Sequence, residues 1–161
     1  MNDYEQSAAG FIQFCAALYQ RPGVAAACLA LQDGRGWNVN CLLLSAWAAR
    51  IGYTLTGEFW MEARKAIEAL DTEAVAPIRK VRREISRNRK FNDELKGGIR
   101  RLLWYAELRA EQAVESVLHR TMLSRAQRGA SDVVSNLIAY AGEDSPEIRQ
   151  LARLFSESMA H

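Results

Sequence analysis

The sequence predicts an all-α protein: one compact bundle of about six to seven helices, with a single long helix near 93–128. Three observations carry this prediction. Good helix formers dominate the 161 residues, which include only three prolines and ten glycines. Apolar residues recur at steps of three and four along most of the chain, and no segment shows a convincing strand alternation. Capping residues, glycines and prolines fall between the periodic segments, where helices must start and stop. A chain of this length suits one domain, taken as 1–161, and can bury a real core.

Asp3 is placed to cap a first helix, in which Tyr4, Ala8, Phe11, Cys15 and Leu18 share a face, and Arg21-Pro22-Gly23 breaks it. A short apolar helix follows from Val24 to Leu31, ended by a turn at Gln32 to Gly36. Asn38 caps a buried helix from Val39 to about Ile51, which Gly52 closes. Thr56 caps the next, with Phe59, Ala63, Ala66 and Leu70 facing the core. Asp71 or Thr72 starts a further helix, because Pro77 is tolerated only in a first turn; its core stripe reads Val75, Ile78, Val81, Ile85. The long helix begins at about Asp93 and packs a seam of Ile99, Leu102, Ala106, Ala110, Ala113 and Val117. Gly129 to Ser131 ends it, and a tail (129–161) holds two shorter helices, about 132–141 and 146–159.

Several function classes drop out. Met1 to Gln6 carry no basic region and lead into no apolar run, so no secretory signal is expected. The most apolar stretch, Cys41 to Ala49, is far short of the ~20 residues that cross a bilayer. Cys15, Cys28 and Cys41, an odd number in apolar helices, read as reduced, buried thiols of a cytoplasmic protein. No glycine-rich phosphate loop, dinucleotide fingerprint, Gly-x-Ser-x-Gly or His-Glu-x-x-His occurs, and with two histidines, His119 and His161, little histidine catalysis is available. No metal site and no cofactor is expected.

One resemblance is specific. The run Leu18-Tyr19-Gln20-Arg21-Pro22-Gly23-Val24, then Leu29-Ala30-Leu31-Gln32-Asp33-Gly34-Arg35-Gly36-Trp37-Asn38-Val39-Asn40, resembles the uncharacterised proteobacterial proteins grouped as domain of unknown function 2390. Pro77-Ile78-Arg79-Lys80-Val81-Arg82-Arg83 and Ala106-Glu107-Leu108-Arg109-Ala110-Glu111 resemble that family's second half. The likeness covers about 11–120. It implies a compact helical protein of the bacterial cytosol and no particular reaction, cofactor or catalytic residue.

Four constellations remain as candidate sites. Between Arg79 and Arg101 stand ten basic and three acidic residues, a local net of +7 in a chain whose total is +2. Arg79, Arg83, Arg87 and Lys90 form a stripe flanked by Lys80 and Arg82, a face suited to an anionic partner. A rival reading is internal: Glu107, Glu111 and Glu115 repeat at steps of four on the long helix and match that stripe if the two helices run antiparallel. Gln32, Asp33 and Asn40, with Asn38, suit a small polar ligand or a cation, or else supply turn and capping bonds. Glu115 and His119, with the upstream acids, read as a solvated helix face rather than a metal site, the spacing being wrong for the bundle di-metal motif. Trp47 and Trp104 read as core, and Trp37, in the glycine turn, as an exposed partner anchor or else as a lid over the bundle end.

The leading expectation is a non-catalytic cytoplasmic interaction protein, adaptor or regulator, that presents its basic helix to an acidic protein partner. A ligand-binding or enzymatic bundle with its site near the Gln32-Asp33 turn is the alternative. Weak nucleic-acid binding ranks third, since few aromatics interleave the cations. A homo-oligomer, formed for instance by swapping the tail, stays open.

Overall fold

The computed structural model describes residues 7–160, so the expected Asp3 cap and Tyr4 lie outside the described residues. The first helix, α1 (Ala8–Tyr19), is instead capped by Ser7, whose Oγ accepts the Gly10 amide at 3.0 Å. α2 (Val24–Arg35) runs one turn past Leu31; Gly36, with φ of 69°, closes it in the left-handed conformation that glycine adopts without steric cost. α3 (Val39–Arg50) is capped by Asn38 and α4 (Gly57–Leu70) by Thr56, as their sequences imply. On α4 the buried residues are Phe59, Trp60, Ala63 and Ile67, a stripe one step round from the one expected.

The connection after α4 differs from expectation. Instead of a break near Asp71, a π-helical turn (Asp71–Val75) joins α4 to α5 (Ala76–Arg87), with the Ala76 amide bonding to Asp71 O five residues back. This widened turn accommodates Pro77, which has no N–H to give to a preceding carbonyl. The extra residue also rotates everything beyond it by about 100° relative to the core face of α4. Val75 is buried and Val81 exposed, while Ile78 and Ile85 are half-buried and share that face with Arg79 and Arg82, which reach the carboxylates of the long helix.

Asn92 caps the long helix α6 (Asp93–Arg125), which ends three residues short of expectation. Its buried seam is not the alanine row. Glu107, Val114, Glu115, Leu118, His119 and Met122 face in, while Leu102 stands 74% exposed. The outer half of α6 lies against α5 as an antiparallel hairpin with no third helix over it, so apolar residues there meet water. Gln127–Arg128 (β2) pairs antiparallel with Tyr53–Thr54 (β1), a two-residue ladder. Buried Asn136 anchors this corner: its Oδ1 accepts the Leu55 amide, and its Nδ2 donates to Ser45 O and Tyr53 O.

α7 (Val133–Ala141) packs on α3, and α8 (Pro146–Met159) on α7 and α2, so the tail docks on its own bundle. The described residues thus hold eight α-helical segments, or seven rods if α4 and α5 are taken as one. α3 lies at the centre, buried from Cys41 to Ala48 on every side. Trp47 is 2% exposed and contacts Phe11 and Phe14, while Trp60 packs edge-on against Phe59 and Tyr140. All three cysteines are free and buried, as expected.

Candidate functional site

A cleft of about 550 Å³ opens between α1, the α2–α3 junction and the α5–α6 hairpin. It draws together groups that are far apart in sequence. Gln32, Trp37 and Asn40 come from the α2–α3 junction, Arg79, Arg82 and Arg83 from α5, and Glu107, Glu111 and Glu115 from α6. Two of the candidate constellations therefore share one cavity.

Local structure explains each placement. Asn38 caps α3 by accepting the Asn40 amide at 2.9 Å, which orients the first turn and sets Asn40 at the rim. The Asn38 amide donates to the Tyr140 hydroxyl at 2.8 Å, and its Nδ2 to Asp71 at 3.2 Å, tying the α2–α3 junction to α7 and to the π turn. Trp37 is half-buried rather than exposed: it meets Tyr140 at a 6.3 Å centroid distance, and the Arg35 guanidinium lies over its ring. Arg35 is itself held by Glu143 and Glu147. Asp33 is exposed and does not line the cleft.

The opposite wall is an ion-pair network. Arg79 Nε donates to Glu107 Oε1 at 3.0 Å and its Nη2 to Glu111 Oε1 at 2.7 Å; Arg82 Nε donates to Glu107 Oε2 at 2.5 Å. The antiparallel pairing anticipated from the two stripes thus forms through Glu107 and Glu111. Glu115 lies beyond reach of the arginines and borders the Cys15 thiol of α1. Burial opposes ionisation of Glu107, but the Arg82 and Arg79 hydrogen bonds outweigh it and hold the carboxyl below its ordinary range. Burial pushes Glu111 up, against the pull of Arg79. Glu115 has no such pull, and burial drives its carboxyl up to about 7. The solvated-face reading of Glu107, Glu115 and His119 is therefore overturned: all three are buried. Among the described residues no group of three or more His, Cys, Asp or Glu is placed to hold a metal ion.

Of the remaining basic residues, Arg83 borders the cleft, exposed and without an ion pair among the described residues. Lys80 pairs with Glu84 at 4.0 Å on the outer surface, and Arg87 and Lys90 stand exposed away from the cleft. Trp104, expected in the core, is 56% exposed and lines the cleft. Sequence reasoning missed Glu115 as a lining residue, yet a signal existed. Trp104, Leu108, Glu111, Glu115, Leu118 and Met122 follow one another at steps of four and three, one continuous stripe that runs from the cleft into the core. Carboxylates embedded in such a stripe mark a polar cavity inside the bundle rather than a wet face.

No single helix among the described residues is long and apolar enough to cross a membrane. No curated protein and no solved structure matches the chain. A family model described as "Protein of unknown function (DUF2390)" matches residues 11–118. Every residue lining the cleft falls inside that span, and the match makes this chain a member of that family.

Proposed function

We propose that this chain binds a small polar molecule in the cleft between the α2–α3 junction and the α5–α6 hairpin. One observation carries the reading: amides from residues 32 and 40, guanidinium groups from residues 79–83 and carboxylates from residues 107–115 converge on a cavity left unfilled by side chains. Its volume lies within the roughly 300–1,000 Å³ of small-molecule sites. Trp37 and Trp104 supply flat apolar walls, and Gln32 and Asn40 supply paired donors and acceptors. Arg83 offers a guanidinium that no carboxylate among the described residues occupies, which suits an anionic group on the ligand. No catalytic step is proposed.

A metabolite screen by thermal shift, followed by calorimetry, tests this. A hit should quench Trp37 or Trp104 fluorescence, and Gln32→Leu and Arg83→Glu should each weaken it about tenfold or more. Hits that these variants leave unchanged would remove the cleft from consideration.

A second reading keeps the acidic protein partner. Leu95, Leu102 and Tyr105 are exposed on the outer half of α6, beside Arg100 and Arg101 and near Arg87 and Lys90. Exposed apolar side chains rimmed by charge suit a docking surface. Arg79 and Arg82, however, are already engaged by Glu107 and Glu111, which narrows the outward stripe. Arg83/Arg87/Lys90→Glu should then abolish a specific, salt-sensitive association in the native host; an unchanged set of partners argues against it. Nucleic acid, the weakest reading, requires binding that collapses steeply with added salt.

A further inference from the structure

Four carboxylates line the cleft. Asp71 accepts from Asn38 Nδ2, and the three on α6, one helical turn apart, are not equivalent. Glu107 has both oxygens held by guanidinium groups. Glu111 has one oxygen held by Arg79 and is partly exposed. Glu115, deepest along the helix, is 7% exposed, and no guanidinium, ammonium, N–H or O–H donor reaches it among the described residues. Its polar neighbour is the thiol of Cys15, a weak donor.

Such a carboxyl is costly in either form. Ionised, it lacks the counter-charge that a buried charge requires; protonated, it holds a polar group in a wall that continues into Leu118 and Met122, where an apolar side chain would pack without penalty. The fold has the means to neutralise acids here, since two arginines serve the neighbouring Glu107 and Glu111, but α5 ends its reach one turn short. What adjoins Glu115 instead is open cleft, with the free oxygen of Glu111 one turn away and the Tyr19 ring of α1 on the facing side. That arrangement lacks one component, a cation small enough to enter.

We infer that the ligand of the cleft carries a primary ammonium group, received by Glu115 with Glu111, while its anionic or polar end lies toward Arg83 and the Gln32 and Asn40 amides. The ligand class is thus a small zwitterion or amino-bearing anion. The inference rests on the cleft reading and deepens it. Burial of Glu115 also means that ammonium binding draws a proton off its carboxyl near neutral pH. The other titratable groups around it are Cys15 and Tyr19 of α1, Arg79 of α5, and Glu111 and His119 of α6.

The test uses matched probes on the full chain: γ-aminobutyrate against butyrate, ε-aminocaproate against caproate, and phosphoethanolamine against ethyl phosphate. Affinities are read by calorimetry and by Trp fluorescence. In wild type the aminated member of at least one pair should bind about tenfold or more tightly than its counterpart. Glu115→Gln should reduce that ratio to within about twofold, with the des-amino affinity unchanged. Glu111→Gln, which leaves the core untouched, should lower the ratio partially and serves if Glu115→Gln fails to fold. Equal affinity for both members of every pair overturns the ammonium assignment and leaves the cleft reading standing. An amine preference that survives both variants overturns the residues named. Absence of binding by all six probes at millimolar concentration overturns the ligand class, and the metabolite screen then judges the cleft separately.

Discussion

Replacing Glu115 by glutamine removes an ionisable group from the cleft wall while keeping its length and its ability to accept from the Cys15 thiol. In the folded chain burial is the main force on this carboxyl, Cys15 pulls it part of the way back, and Glu111 adds a further push, leaving it at about 7. In the unfolded chain it titrates near its ordinary 4.5. Below that pH both states hold the proton and the carboxyl contributes its full share of stability. Between the two values the unfolded chain releases its proton and the folded chain does not, so stability falls as pH rises and the loss is complete above about 7. The gap corresponds to about 3 kcal/mol, since each tenfold step is 1.36 kcal/mol. Urea unfolding of wild type and Glu115→Gln at pH 5 and pH 8 measures it. Because pH 5 already lies above 4.5, the stability difference between the two proteins should move by about 2.5 kcal/mol in favour of glutamine at the higher pH, or roughly 5–10 °C in melting temperature for a chain of this size. Parallel pH profiles for the two proteins would show that Glu115 is solvated and would refute both the burial argument and its extension to an ammonium ligand.

The other predictions concern the rest of the fold. Glu107→Ala leaves two half-buried guanidinium groups without their shared acceptor and should destabilise by about 1–2 kcal/mol in urea, reduced from the fully buried case by solvent access. Asn136→Ala removes three buried hydrogen bonds at the corner of the two-residue ladder and should cost roughly 3–5 kcal/mol; amide exchange at Leu55 should accelerate with it. Leu102→Lys, at a site without burial, should change stability by less than about 0.5 kcal/mol, whereas the same change under the alanine-seam reading would unfold the bundle. Burial pushes Cys28 and Cys41 up to about 12 and Cys15 well above its ordinary value, so native protein should resist thiol reagents at pH 8 and react only on unfolding.

Helix boundaries were largely legible in the residues. Asn38 and Thr56 cap where capping residues were expected, and Gly36 ends α2 with positive φ inside the expected turn. On α8 the residues spaced at three, one and three, Ile148, Leu151, Ala152 and Phe155, form the buried stripe. The all-α class followed from the same local signals, as did the reduced state of the three thiols. The candidate site was half legible. The stripe from Arg79 and the acids at steps of four announced a pairing, although the flanking Arg82 and not Arg83 joined Arg79 in it, and Gln32 and Asn40 announced a polar spot, but nothing in the chain placed the two across one cavity.

Capping, breaking and helical periodicity depend on residues within a turn of one another, so the sequence by itself determined where the helices lie and that the protein is all-α. Which side of each helix meets water depends on what packs over it. Beyond the π turn Arg79 and Arg82 share the half-buried face of α5 with Ile78 and Ile85 while Val81 is exposed, and the uncovered hairpin left Leu102 and Trp104 outside. Tertiary structure alone decided that Glu115 is buried without a cation, because burial and counter-charge are properties of neighbours brought from Cys15, Arg79 and beyond, and no local pattern encodes who those neighbours are.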